Sequence, residues 1–217
     1  MRAAVRRIVL ATGNRGKLRE ISAVLADPAV GVAVEGLDHL GAIPAPAETG
    51  ETFAANARDK ALYYARATGQ WCLAEDSGLE VDALGGAPGV HSARYAADRC
   101  PADADRATLD AANNAKLLEA LAGVPAERRT ARFVCHLALA GDGRILIETF
   151  DTVEGQIAQA PRGSGGFGYD PLFLIPALGC TTAELSAEQK NALSHRGKAV
   201  RHLARLLASF LSSAPTE

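Results

Sequence analysis

Apolar and polar positions along this chain switch between two periods, and the switches mark out strands and helices. Residues 5 to 11 form an unbroken apolar run and predict a buried strand. From 17 to 26, Leu18, Ile21, Val24 and Leu25 recur at helical spacing, so a helix follows. Residues 30 to 34 predict a weaker strand, and the proline-rich "GAIPAPAETGET" a loop. "TFAANARDKALYYARATG" then reads as a helix that Gly69 closes. "WCLAED" predicts a short strand that breaks into the glycine-rich "SGLEVDALGGAPGV". A helix is expected over roughly 103 to 122. Strands near 130–140 and 144–152 flank Gly141-Asp142-Gly143 as an antiparallel hairpin, and 153–158 are expected to continue as another strand. After a further strand, "LFLI", Ser186 and Gln189 form a capping box that opens a helix. Gly197 is expected to interrupt it, and Ser194 to cap a second helix. That helix carries Val200, Leu203, Leu206, Leu207, Phe210 and Leu211 on one stripe.

Strands alternating with helices predict an α/β fold. No linker or repeat divides the 217 residues, so the expectation is a single domain. The formal net charge of -2 offers no basic excess to grip a nucleic-acid backbone. A small molecule is the expected partner. Arg2, Arg6 and Arg7 precede an apolar run too short for a signal-peptide core, and no stretch is long enough to span a bilayer. No membrane partner and a cytoplasmic location are therefore expected. Cys72, Cys100, Cys135 and Cys180 contain no C-x-x-C pair and are expected as reduced, buried thiols.

The chemistry gathers in loops and helix starts. "ATGNRGKL" resembles a phosphate-binding loop but fails its spacing. Ala11 stands where the first glycine should be, and Leu18 where the hydroxyl residue should be. A helix N-terminus with Thr12, Asn14 and Lys17 can still hold an anion, although a plain strand-to-helix turn fits the same residues. Glu75 and Asp76 stand where a strand is expected to end, the place where α/β folds bind ligands. In a regular strand neighbours face opposite ways, so only one of the two would face a given site. Clustered carboxylates select hard cations, and a solvated acidic turn is the alternative. "GSGGFGYDP" offers Phe167 and Tyr169 for stacking on a base or for plugging the core. His195 and Arg196 could donate to a ligand or simply follow a capped helix start.

Together, "TGNRGK", "AEDSGLEVDALGGAPGVHSARYA", "GGFGYDPLF" and "AELSAEQKNALSHRGKA" resemble the non-standard purine nucleoside triphosphate pyrophosphatases, the inosine triphosphatase-like proteins. The resemblance runs from about residue 8 to residue 208. It implies hydrolysis of ITP, dITP and XTP to the monophosphate and pyrophosphate, with Mg2+ (or Mn2+ in its place) as cofactor. It further implies a homodimer, and a long mixed twisted sheet flanked by helices in two lobes with an active-site cleft between them. By motif position, Thr12, Gly13, Asn14, Arg15, Gly16 and Lys17 would hold the triphosphate, with Lys60 pairing phosphate. Asp76 would be the catalytic carboxylate and a metal ligand, beside Glu48 and Glu75. Ser77 would touch the substrate. Phe167, Gly168, Tyr169 and Asp170 would contact the nucleoside, and Lys190, His195 and Arg196 would complete the base pocket. Bacterial relatives often carry Asp-Asp-Ser-Gly where this chain has Glu75-Asp76-Ser77-Gly78, which leaves open whether Glu75 is a ligand. A same-fold enzyme for other altered nucleotides, including pyrimidines, and a non-catalytic nucleotide sensor are the rival readings.

Overall fold

The computed structural model describes residues 5–213 apart from residue 42, so Arg2 and one residue of the proline-rich loop lie outside it. The strands are β1 (Arg6–Leu10), β2 (Val32–Gly36), β3 (Cys72–Val81), β4 (Thr130–Gly141), β5 (Arg144–Ile157), β6 (Phe173–Ile175) and β7 (Cys180–Thr181). The helices are α1 (Arg15–Leu25), α2 (Phe53–Thr68), α3 (Arg106–Ala120), α4 (Ala187–Leu193) and α5 (His195–Ser213). The sheet is mixed, in the order β2-β1-β3-β4-β5-β6-β7. β1 runs parallel to β2 and β3, while β5–β6 and β6–β7 are antiparallel. This is the α/β architecture that the alternating periods predict.

The chain packs as two compact units. One comprises the residues up to Asp76, Cys135–Asp151 and those from His195 onward; the other comprises Ser77–Val134 and Thr152–Ser194. In the first unit the sheet is apolar on both faces. Ile8, Leu10, Leu73, Leu137 and Leu139 pack with Ile21 and Leu25 of α1 and Val200, Leu203 and Leu207 of α5. The alternate residues Val9, Cys72, Ala74, Ala138 and Ala140 pack under Ala57, Ala61 and Tyr64 of α2. The second unit is one-sided. Leu79, Val81, Ala131, Phe133 and Val153 pack with Leu117 of α3. On the alternate positions Arg132 pairs with Glu80, Asp82 and Glu154 at 3.5, 2.9 and 3.2 Å.

Four expectations need correction. β3 does not break after Asp76 but runs through Ser77 and on to Val81. Gly197 does not interrupt a helix: the chain turns at Ser194, in extended conformation, and Gly197 is buried inside α5. β2 starts two residues later than the apolar pattern predicts, because a 3-10 turn occupies Pro28–Val30. Of the four cysteines, all free, only Cys72 and Cys135 are buried; Cys100 and Cys180 are half-buried. The hairpin, by contrast, forms where expected, and β5 continues to Ile157 as one strand.

Candidate active site

In the first unit the polar residues form two clusters, one on each face of β3. The division follows from β3 being a regular strand at Glu75 and Asp76, because successive side chains then point opposite ways.

Asp76 points to the α2 side and is 6% exposed. Its Oδ2 accepts from Asn56 Nδ2 at 3.0 Å, and its Oδ1 from Lys60 Nζ at 3.2 Å. Lys60 Nζ also donates to Glu48 Oε1 at 2.8 Å. Asn56 and Lys60 are one helical turn apart on α2, so both reach the same carboxylate. Asn56 in turn accepts the Gly50 N–H at 2.8 Å, which ties the acidic 48–51 loop to the helix. A Cβ at Gly50 would stand 2.6 Å from that Asn56 oxygen, so the close approach requires glycine. Burial pushes the Asp76 carboxyl up from the ordinary range. Lys60, Lys17 and the Asn56 amide oppose this without cancelling it, and Glu48 adds to it. Burial acts to lower Lys60, but Asp76 and Glu48 outweigh it and hold the ammonium above its ordinary value. The result is a charged lysine between two carboxylates, one of them a moderately strengthened base.

Glu75 points to the other face, and its side chain is fully buried. Arg196 Nε donates to its Oε1 and Oε2 at 3.0 and 2.9 Å, and Nη2 to Oε1 at 2.8 Å. Lys17 Nζ lies 3.5 Å from Oε1, and Glu20 of α1 takes Arg196 Nη1. Burial would lower the Arg196 pKa, yet Glu75 first and then Glu20 carry it upward. His195, beside Arg196, is also buried. The residues from Thr12 to Lys17 form the turn into α1. Here the Asn14 side chain caps the helix, accepting from Gly16 and Lys17 N–H at 2.8 and 3.2 Å. Those two amides, expected to face an anion, are bonded to Asn14. Thr12 accepts the Asn14 N–H, while Gly13 and Arg15 are exposed.

The second unit holds Ser77, Phe167, Gly168, Tyr169, Asp170 and Lys190. Asp170 is saturated: Oδ2 accepts from Phe167 N–H at 2.7 Å and Lys190 Nζ at 2.5 Å, and Oδ1 from the Thr182 hydroxyl at 2.8 Å. Lys190 Nζ also sits 4.7 Å from the centre of the Phe167 ring, in cation–π contact. Tyr169 is buried and donates its hydroxyl to Ser92 O at 2.9 Å; burial pushes its pKa up further. Asp170 and Tyr169 thus hold the turn in shape, while Phe167 and Gly168 are half-buried and Ser77 is half-buried at the unit's first position.

Sequence reasoning missed Asn56, Glu20 and the α3 residues Asp110 and Asn114, which bond to Gly168. For Asn56 a signal existed: an amide one turn before a lysine on a helix that buries alanines.

A model of the Ham1 family matches residues 8–206. A dITP/XTP pyrophosphatase of Exiguobacterium sibiricum is 49% identical over 94% of this chain and 98% of its own. One from Geobacillus kaustophilus is 52% identical over 92% and 93%. Among solved structures, a HAM1 protein from Coxiella burnetii superposes with a TM-score of 0.81 at 40% identity, covering 94% of this chain and 99% of that one. With near-complete coverage in sequence and in fold, the chain belongs to the Ham1 family.

Proposed function

We propose that the chain hydrolyses the non-standard purine nucleoside triphosphates ITP, dITP and XTP to the monophosphate and pyrophosphate. The observation that carries this is the buried Asp76, held by Asn56 and sharing Lys60 with Glu48. The relatives named dITP/XTP pyrophosphatase supply the substrate class.

Mg2+, with Mn2+ as substitute, belongs to this reading. Glu48 and Asp76 are hard oxygen donors gathered at one ammonium group, and magnesium needs only one or two carboxylates besides phosphate oxygens. Among the described residues no three His, Cys, Asp or Glu side chains gather to hold a metal. In this reading these two carboxylates are the protein's contribution, and Glu75, committed to Arg196, keeps that cation and Lys17 in place. When bound, the ion offsets negative charge on the phosphate oxygens and the leaving pyrophosphate. Asp76 accepts the proton of the attacking water as its oxygen bonds to the α-phosphorus and the bond to the bridging oxygen breaks. The raised pKa of Asp76 suits a base. Lys17 and Lys60 meet the charge that grows on pyrophosphate.

In the same reading the turn from Phe167 to Asp170 receives the nucleoside, and the turn at Thr12–Lys17 receives the triphosphate. Donors of the kind that the family resemblance assigns to the base pocket match the 6-oxo group of inosine and xanthine. Against the 6-amino group of adenine they would be left facing donors. Guanine, which shares the oxo group, is rejected at its 2-amino group. A homodimer is proposed on the family resemblance, and a cytoplasmic location on the sequence reading above.

The test is a panel of ITP, dITP, XTP, GTP, ATP, dUTP and methylated pyrimidine triphosphates with Mg2+, scored for monophosphate and pyrophosphate. The three non-standard purines should give both products fastest. Pyrophosphate release chiefly from pyrimidines would favour the rival enzyme, and binding without release a sensor.

A further inference from the structure

The aromatic turn has a second support that no motif announced. Gly168 is gripped at both of its main-chain polar groups by one helix. Its N–H donates to Asp110 Oδ2 at 2.9 Å, and its carbonyl accepts from Asn114 Nδ2, also at 2.9 Å. Asp110 and Asn114 are four residues apart on α3, one turn, so their side chains stack on the same face and meet one peptide segment together. The orientation of the Asn114 amide is fixed by chemistry, because Nδ2 also donates to Asp110 O at 2.9 Å. Flipped, the amide would set an acceptor against two carbonyls. Gly168 has φ +63, in the left-handed region, and the clamp holds it there. Asp110 is steadied by Arg106 Nη2, 2.8 Å from Oδ1.

We infer that Asp110 and Asn114 are positioning residues for the nucleoside: they set where Phe167 stands by fixing the peptide that follows it. The inference rests on the reading above that this turn receives the base. Their bonds run to Gly168 and to each other's turn of α3, so the effect expected of them falls on nucleoside recognition.

The experiment uses the full chain with Mg2+. Asn114→Asp keeps the shape of the side chain but presents an oxygen to the Gly168 carbonyl, and Asp110→Ala removes the acceptor. Each should raise KM for ITP by about 10-fold with kcat within about 2-fold, the mark of lost binding that is the same in ground and transition states. Inhibition by inorganic tripolyphosphate, which has no base, should be unchanged. Asp110→Asn, still an acceptor, should restore KM. An unchanged KM in Asn114→Asp and Asp110→Ala, or an equal weakening of tripolyphosphate, would overturn the inference. Phe167→Ala separates the two levels. If it raises KM while the α3 variants do not, the clamp fails and the nucleoside reading stands; if Phe167→Ala itself leaves KM unchanged, the nucleoside reading fails as well.

Discussion

Glu75→Gln is the sharpest probe of the buried ionic cluster. The substitution preserves volume but removes the charge that faces Arg196, whose side chain is 3% exposed. A buried cation left without its partner costs about 3–5 kcal/mol. Glu20 still takes Arg196 Nη1, so the loss belongs at the low end, about 3 kcal/mol. For a chain of this length each kcal/mol is worth roughly 2–4 °C, so the melting temperature should fall by roughly 6–12 °C. Thermal and urea unfolding followed by circular dichroism would read both numbers. A control is Glu35→Gln: its partner Arg7 lies 3.6 Å away and is 73% exposed, and such surface pairs contribute at most about 1 kcal/mol. Glu75→Gln within about 1 kcal/mol of the parent would refute the claim that Arg196 depends on this carboxylate.

Three other outcomes follow from the same geometry. Asp76→Asn should cut turnover of ITP by roughly 100-fold or more while nucleotide binding stays measurable; near-normal turnover in a steady-state assay removes Asp76 as base. The same variant should be more stable than the parent in EDTA. The folded-state pKa of Asp76 is raised, so ionisation costs stability as pH rises through and above the ordinary carboxylate range. The gain in melting temperature should therefore be present at neutral pH and vanish in acid; a gain that grows on acidification would reverse the sign. Gly166→Ala should raise KM for ITP, since its Cβ would fall 2.0 Å from Asp170 Oδ2 at a φ of +74; parental kinetics would show that the turn tolerates the shift.

Much of the fold was legible because both cores impose clear periods. The α5 stripe and the capping box at Ser186 are local signals, and they survive in the structure. The end of β3 was misread because Ser77-Gly78 looks like a turn, whereas pairing within the sheet carries the strand past it. The family resemblance located Asp76, Lys60 and Glu48, and Lys60 proves to bond both carboxylates. What stayed hidden was bonding over long sequence separations. Nothing in the sequence near Arg196 announces a partner 121 positions earlier, nor near Gly168 a helix 54 to 58 positions before it. The capping role of Asn14 was local, but the lysine and glycines around it suggested an anion first.

Glu75 and Asp76 differ by one methylene and sit side by side, yet the pleat of β3 sends them to separate neighbourhoods with separate duties. Losing or gaining a single residue in the stretch before them would exchange their destinations, bringing the guanidinium partner's acid to the lysine and the lysine's acid to the guanidinium. Substitutions can drift on the helices around this strand, but its length cannot change by one without scrambling the chemistry. Insertions and deletions there should accordingly be far more damaging than any conservative replacement.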